Sequence, residues 1–203
     1  MVEEQLVRRG LDDDEVLAAL RTVPRHRFVP DDLREVAYED RPLQIGYGQT
    51  ISQPYVVAAM TAALRVGAGD RVLEVGTGSG YQAAVLAELV SEVYTIELVR
   101  ELAEDAADRL RALRYDTVRV RAGDGHGGWP EAAPFDGIVV TCGGPSVPPA
   151  LVAQLAPGRR LVLPVGEPGK VMELRLVEKG ADGVVRQENL MPVRFVPFVR
   201  PGA

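Results

Sequence analysis

Three glycines separated by single residues stand in the stretch VLEVGTGSGY, residues 72–81, just after a short apolar run. A glycine turn between a strand and a helix lets the backbone approach a ligand and leaves helix N-terminal amides free to face it. Gly76, Gly78 and Gly80 do not fit the spacing of a dinucleotide fingerprint, and no Gly-Lys-Ser/Thr run is present to hold a triphosphate. Glu74 would repel a pyrophosphate but favours a cofactor that carries cationic groups. The alternative is a turn that is only structural.

Two further acids follow the next two β-rich runs of the chain. Glu97 ends the run at residues 93–96, and Asp124 follows the run at 118–121 in a Gly-Asp-Gly sequence that ends at Gly125. The carboxyl ends of parallel strands meet at one edge of a sheet, so these acids are placed to accept hydrogen bonds from a ribose diol and an adenine amino group. Each acid alone would be a solvated loop residue or a helix cap. Together with the glycine turn they predict a pocket for S-adenosylmethionine.

Short β-rich runs alternate with longer helical patterns through the rest of the chain. The β-rich runs are residues 71–75, 93–96, 118–121, 135–141 and 160–165, and helical spacing covers residues 82–90 and 99–113. This alternation predicts right-handed crossovers and an α/β fold, a doubly wound, mostly parallel Rossmann-like sheet. Two later runs, at 171–178 and ending at 193–199, surround the turn at 179–183 and predict antiparallel C-terminal strands.

The first part of the chain predicts helices rather than strands. Three aspartates open a pattern at residues 12–24 whose apolar positions share one helical face, and Pro24 ends it. A second helical pattern covers residues 56–64, and we expect Gly67 and Gly69 to stop it.

Length and composition exclude several classes of protein. The 203 residues, 46% apolar and 26% charged, suit one globular domain over 1–203, with a helical cap and substrate loop at 1–52 and a cofactor-binding α/β core at 53–203. No apolar run reaches the ~20 residues of a membrane span, and no signal peptide is evident, so we expect a cytoplasmic protein without a membrane partner. A single cysteine, Cys142, and two distant histidines predict neither a disulfide nor a metal site. The net charge of −6 argues against nucleic acid as a partner, and we expect a monomer.

The stretch IGYGQTISQP, residues 45–54, combines two glycines with Thr50 and Ser52. Pro54 is a typical first residue of a helix, so the Ser52 hydroxyl is a candidate N-cap. The stretch alone does not distinguish a helix cap from a residue that takes part in chemistry.

These motifs together resemble the protein-L-isoaspartate (D-aspartate) O-methyltransferases, which methylate isoaspartyl residues in aged proteins. The resemblance covers nearly the whole chain, and the GQTIS stretch is its most specific part. The segments that carry it are VPRHRFVP at 23–30, GQTISQP at 48–54, VLEVGTGSGY at 72–81, GDG at 123–125, GWP at 128–130, LAPG at 155–158 and VRFVPF at 193–198.

The resemblance implies a class I S-adenosylmethionine-dependent methyltransferase with a seven-stranded sheet. It implies transfer of a methyl group to the α-carboxylate of L-isoaspartyl residues in damaged proteins and peptides, and the ester then closes to a succinimide that hydrolyses partly to aspartate. Ser52 would orient the carboxylate, with help from Thr50. The implied cofactor-binding residues are Glu74, Gly76, Gly78, Gly80, Glu97, Asp124 and Gly125.

Two positions depart from the family pattern. Residues 142–144, Cys-Gly-Gly, replace an Ala-rich turn, and His126 stands where many relatives have Arg. One alternative function is methylation of a small molecule or RNA, since many such enzymes share the cofactor half of the fold. The acidic balance opposes RNA, and the loop at 45–54 opposes a small molecule. Another alternative is a silent S-adenosylmethionine-binding or peptide-binding module, which the intact Ser52, Glu97 and Asp124 oppose.

Overall fold

A seven-stranded sheet organises the structure, a computed structural model that describes residues 1–200. A separate two-stranded hairpin, β1–β2, precedes the sheet in the chain. The strands are β1 (Leu43–Gly46), β2 (Gln49–Ile51), β3 (Arg71–Val75), β4 (Glu92–Glu97), β5 (Val118–Ala122), β6 (Phe135–Val140), β7 (Leu155–Val165), β8 (Met172–Lys179) and β9 (Val185–Val193). The helices are α1 (Asp14–Thr22), α2 (Pro54–Leu64), α3 (Tyr81–Ala87), α4 (Arg100–Ala112) and α5 (Pro149–Gln154).

The strand order in the large sheet is β5-β4-β3-β6-β7-β8-β9. Strands β3 to β7 pair in parallel, whereas β8 is antiparallel to β7 and β9 is antiparallel to β8. The chain builds outward from β3 to β5 and then returns to the other side of β3 to continue with β6. This reversal confirms the predicted doubly wound sheet, and it creates a switch point at the carboxyl end of β3, where open α/β sheets bind ligands.

The sheet is buried on both faces, which explains the apolar runs of its central strands. Val72 and Leu73 of β3 are both fully buried although they point to opposite faces. One face packs against α2 and α3 together with the N-terminal cap, in a cluster that includes Leu17 and Leu86. The other face packs against α5 and neighbouring turns around Leu151. The backbone of β3 is therefore held from both sides.

The N-terminal cap consists of α1 and several short helical turns. The side chain of Asp13 caps α1 by accepting a hydrogen bond from the Val16 N–H (3.0 Å), and α1 ends before Pro24 as predicted. Leu6 and Leu20 of the cap lie in the same hydrophobic cluster as the residues of α2 and α3. The division of the chain at residue 52 stays a prediction. No helix within residues 1–200 is long and apolar enough to cross a membrane.

Two sequence predictions are wrong at the ends of elements. Helix α2 stops at Arg65, which adopts the left-handed conformation (φ 54°, ψ 50°), and not at Gly67. Gly67 instead lies in a turn where its N–H donates to the Asp70 carboxylate (2.8 Å). Beyond Val193 the chain forms no further strand up to residue 200, but continues as an extended tail across the edge of the sheet.

Replacing Arg65 with glycine should stabilise the fold. Glycine adopts a positive φ without the steric cost that a side chain carries, so Arg65→Gly should raise the free energy of unfolding by up to about 1 kcal/mol. Glu104→Gly, at an exposed position inside α4, is the matched control and should lower it by about 1 kcal/mol. Chemical denaturation of both variants tests this, and similar losses in the two would contradict it.

Candidate active site

The stretch at residues 45–54 forms the tight hairpin β1–β2 and the start of α2. Tyr47 and Gly48, the two turn residues, both have positive φ (53° and 70°), as a type I′ hairpin turn requires. The hairpin packs against the glycine turn after β3, because an added Cβ at Gly78 would lie only 3.3 Å from Ile45 Cδ1. The polar residues after the hairpin turn are therefore held beside the carboxyl end of β3.

The Ser52 hydroxyl does not cap α2. Asp40 fills that role instead: its carboxylate accepts hydrogen bonds from the Tyr55 N–H (3.0 Å) and from Gln53 Nε2 (2.8 Å). Gln53 occupies the N-cap position without a capping hydrogen bond from its own side chain. Within residues 1–200 the Ser52 hydroxyl makes no hydrogen bond, so it is free to bind a ligand.

A cleft lies at the carboxyl end of β3 and has a volume of ≈ 590 Å³ when its open mouth is included. Five of the predicted site residues line it: Thr50, Gly76, Gly78, Glu97 and Gly125. Glycine is required at position 76, because a Cβ there would clash with the Thr141 hydroxyl. That hydroxyl donates to the Gly76 carbonyl (2.6 Å) and so fixes the path of the turn.

Glu97 ends β4 and holds the glycine turn open. Its Oε2 accepts from the Gly78 N–H (2.8 Å), and its Oε1 accepts from the Val99 N–H (3.0 Å). A carboxylate oxygen accepts more than one hydrogen bond. Glu97 therefore keeps capacity for a pair of ligand hydroxyls in the cleft, as expected for the ribose of a nucleoside.

Glu74 lies in a second cavity, which we call the rear cavity, between the glycine turn, the start of α3 and the segment at Thr50 and Ser52. Its carboxyl is fully buried; Thr95 Oγ1 donates to Oε2 (2.5 Å), whereas Oε1 has no partner among the described residues. Burial, together with the nearby charge of Glu97, raises the pKa of Glu74 to about 8, although the Thr95 hydrogen bond acts in the opposite direction. An unsatisfied buried carboxyl fits a ligand that carries a cationic amino group, as S-adenosylmethionine does.

Asp124 and Gly80, two of the predicted cofactor residues, do not line the cleft. Asp124 caps a short turn by accepting from the His126 N–H (2.9 Å) and makes a second hydrogen bond with His126 Nδ1 (2.8 Å). Gly80 has a φ of 87° and begins α3, where it packs against Leu110. Gly125, by contrast, faces the cleft, and a Cβ there would clash with Val75.

Comparisons with known proteins agree with this geometry. The family model for protein-L-isoaspartate (D-aspartate) O-methyltransferases matches residues 1–202. The chain belongs to this family. A protein-L-isoaspartate O-methyltransferase of Opitutus terrae is 60% identical over 200 residues, which cover 98% of this chain and 85% of that protein. Another, from Pelotomaculum thermopropionicum, is 56% identical over 199 residues, covering 98% and 86%.

Structural comparison leads to the same family. A Plasmodium falciparum protein assigned to the protein-L-isoaspartate O-methyltransferases was crystallised in complex with S-adenosyl-L-homocysteine. Its fold matches with a TM-score of 0.83 at 26% identity, over 98% of this chain and 97% of that one. The present chain is therefore an S-adenosylmethionine-dependent methyltransferase with the class I fold, as its sequence predicts.

The C-terminal tail of this methyltransferase forms a wall of the cleft that the sequence did not reveal. Residues 196–199 line the cleft, and the Phe198 ring stacks on His126 with centroids 3.7 Å apart. Backbone hydrogen bonds hold the tail, because the Gly143 N–H donates to the Val196 carbonyl (2.8 Å) and the Phe198 N–H donates to the Gly143 carbonyl (2.7 Å). The VRFVPF motif at 193–198 was the only sequence feature that pointed to this segment, and its apolar alternation predicted a strand rather than a wall of the cleft.

Both departures from the family pattern lie against this tail. A Cβ at Gly143 would clash with the Met172 sulfur, so the glycine matches a large neighbour on β8. His126, in place of the usual Arg, supplies a flat ring for Phe198 to stack on. Neither change alters the hydrogen bonds of the glycine turn or of Glu97.

Glu74 should make the stability of the ligand-free enzyme depend on pH. Its pKa is raised from 4.5 to about 8, so between these values the folded protein retains a proton that the unfolded chain releases. The free energy of unfolding should therefore fall as pH rises through this window, by at most about 1.4 kcal/mol per pH unit. Glu74→Gln removes this contribution, and denaturation of both proteins at pH 5.5, 7 and 8.5 measures it. Parallel stability curves for the two proteins would contradict the assignment.

Proposed function

We propose that this methyltransferase transfers the methyl group of S-adenosylmethionine to the α-carboxylate of L-isoaspartyl residues in damaged proteins and peptides, and that Ser52 orients that carboxylate. The observation that carries the proposal is a junction of three spaces. Thr50 lines the cofactor cleft, the rear cavity and a third, outer groove, and Ser52 lines both the rear cavity and the groove. A methyl donor in the cofactor cleft and a carboxylate acceptor in the outer groove would meet beside the hydroxyls of Thr50 and Ser52.

The third space, the outer groove, suits an extended peptide. It lies between the start of α2 and the end of β9 and has a volume of ≈ 1000 Å³ when its open side is included. Apolar and positively charged side chains line it, including Tyr55, Phe195, Arg9 and Arg194. Arg9 is held in place by Asp40 (2.7 Å) and lies over the Tyr55 ring, 3.5 Å from its centroid. Because Asp40 already neutralises Arg9, the groove offers a peptide mainly apolar contacts.

The methyl transfer requires the protein mainly to position the two reactants. S-adenosylmethionine supplies, when bound, a methyl group on a cationic sulfur. The carboxylate of an isoaspartyl residue is already ionised at neutral pH, so a general base is not required. Ser52 and Thr50 would orient that carboxylate through their hydroxyls, and the surrounding loops would exclude water from it. The methyl ester then leaves and closes to a succinimide, which starts the return to aspartate.

The cofactor would be held by the residues around the glycine turn. Gly76 and Gly78 let the backbone approach it, Glu97 would accept from the ribose, and Gly125 would leave room for the adenine. The unpartnered oxygen of Glu74 would meet the amino group of the methionine part. Asp124 would reach the adenine amino group only through its second carboxylate oxygen, because Oδ1 is occupied by His126.

The proposal extends to the kind of macromolecule that the enzyme binds. The net charge of −6 favours protein substrates over nucleic acid, because phosphate contacts require an excess of Lys and Arg. The monomeric state, the absence of a membrane partner and the cytoplasmic location stay predictions.

The activity is tested with radiolabelled S-adenosylmethionine and two matched peptides, one with L-isoaspartate and the other with aspartate at the same position. We expect base-labile methyl ester on the isoaspartyl peptide alone, because only that linkage exposes an α-carboxylate at the end of a short side arm. Equal labelling of both peptides, or labelling of neither, would refute the proposal.

Replacement of Ser52 separates orientation of the substrate from capping of a helix. Ser52→Ala should lower kcat at least ~10-fold while leaving the free energy of unfolding within about 0.5 kcal/mol, because its hydroxyl has no structural partner. Asp40→Ala is the matched control and should cost about 1–2 kcal/mol of stability, because it removes the actual cap of α2. If the Ser52→Ala enzyme methylates the isoaspartyl peptide at the wild-type rate, Ser52 does not orient the substrate carboxylate.

A further inference from the structure

Arg25 is a fully buried cation without an ion pair. Its exposed fraction is 0%, and no Asp or Glu oxygen within residues 1–200 lies within 4.0 Å of its nitrogens. Burial lowers the pKa of Arg25, but a guanidinium keeps its proton at neutral pH. Removing a charge from water without pairing it costs free energy of folding, so a buried, unpaired arginine suggests a functional role.

The guanidinium connects the N-terminal cap to the segment that carries Ser52. Its Nε donates to the Ala37 carbonyl (2.7 Å), and its Nη2 donates to the Ser52 carbonyl (2.8 Å). Arg25 Cζ lies 4.8 Å from the centroid of the Tyr81 ring, over its face. The Nη1 atom of Arg25 has no hydrogen-bond partner among the described residues. Tyr81 lines the rear cavity together with Ser52. Arg25 itself lines none of the three spaces, so its charge lies behind Ser52 and Tyr81, which line the rear cavity.

The hydrogen bond to Ser52 fixes the backbone from which its side chain projects. The Ser52 hydroxyl has no hydrogen bond of its own in the described structure, so its position depends on the main chain. On one side Ile51 is paired with Leu43 in the hairpin, and on the other Pro54 begins α2. Between these two points the Arg25 bond holds the Ser52 carbonyl. Four covalent bonds separate that carbonyl oxygen from Oγ, which places Nη2 within about 7 Å of the hydroxyl.

We propose that Arg25 is a positioning residue for Ser52, and that its buried positive charge favours binding of the substrate carboxylate. This inference rests on the proposed function. No carboxylate pairs with the guanidinium directly in the free protein, where Asp40 acts on it from beyond 4.0 Å, so an incoming α-carboxylate would add opposite charge near it. A carboxylate that is hydrogen-bonded to the Ser52 hydroxyl would lie within about 10 Å of Nη2, and solvent ions screen a buried charge poorly at that separation. Because Arg25 acts through the backbone of Ser52, it does not compete with the reacting oxygen for a hydrogen bond.

Two substitutions separate the charge from the geometry. Arg25→Gln keeps a donor but loses the charge, so KM for the isoaspartyl peptide should rise about tenfold or more, and kcat should fall. Arg25→Lys keeps the charge but lacks the planar fork whose Nε and Nη2 donate to the Ala37 and Ser52 carbonyls, so KM should change less than about threefold while kcat falls. In both variants the dissociation constant of S-adenosyl-L-homocysteine, measured by calorimetry, should stay within about twofold, because Arg25 does not line the cofactor cleft.

Arg160→Gln is the matched control. Arg160 is partly buried and, like Arg25, donates to a backbone carbonyl, that of Ala63 (3.3 Å), but it lies at the other end of α2 and pairs with Glu178. Its kinetic constants should equal those of the wild type within about twofold.

The wild-type enzyme provides a test that needs no substitution. With a peptide whose other residues are uncharged, KM should change less than about threefold between 0.05 and 0.5 M salt, because a buried charge is poorly screened. A steep rise of KM with salt would assign the attraction to the exposed Arg9 and Arg194, and would overturn the role of the Arg25 charge whether or not the variants fold.

The outcomes distinguish this inference from the proposed function. If the wild type methylates neither peptide, the proposed function fails first. If the wild type is active and Arg25→Gln has the same KM as the wild type, the role of the charge is wrong. If Arg25→Lys has the same kcat as the wild type, the positioning role is wrong. Equal losses of peptide and S-adenosyl-L-homocysteine affinity would show that Arg25 supports only the fold.

Discussion

The close approach of neighbouring chains at the carboxyl end of β3 is the constraint on which the site depends. Two positions there have no room for a Cβ: Gly76 lies against the Thr141 hydroxyl, and Gly125 lies against Val75. The turn after β3 is then held by the two strands beside it, through the Thr141 bond from β6 and the Glu97 bond from β4. The glycines leave this backbone without side chains, and the two bonds fix it at the switch point of the sheet. A cofactor can therefore enter the cleft.

Two buried ionisable groups lie around the rear cavity, and neither has the partner that a stable core would provide. Glu74 keeps one oxygen unsatisfied, and Arg25 keeps one nitrogen unsatisfied. They are not paired with each other, so each pays a desolvation cost in the free protein. Glu74 retains its proton at neutral pH because its pKa is raised to about 8, whereas Arg25 stays charged without an ion pair. Both groups would gain a partner from the proposed ligands, a cationic amino group for Glu74 and a carboxylate for Arg25.

The sequence predicted the fold well where local pattern and tertiary burial agree. Strands β3 to β6 appeared within one residue of their predicted bounds, because β3 and β6 are apolar on both faces and end at recognisable turns. Strand β7 begins at Leu155, five residues before its predicted start. It failed where long-range contacts decide. Nothing local shows that Asp40 caps α2 across 15 residues of chain, or that Arg25 reaches Ser52 across 27. The glycine turn and Glu97 were found because strand order alone brings them together, and the cleft wall at Phe198 was missed because its contacts come from the far end of the chain.

The C-terminal segment joins the two ligand spaces physically. Residues 191–195 line the outer groove, and the next four residues, 196–199, line the cofactor cleft. The backbone bonds to Gly143 fix the segment at Val196 and Phe198, just past the point where it passes from one space to the other. A peptide that displaces Phe195 thus acts on a chain anchored one residue further on, and a cofactor that presses on Phe198 acts on the same anchor. One backbone anchor, at Gly143, therefore holds the segment that forms part of the wall of both spaces.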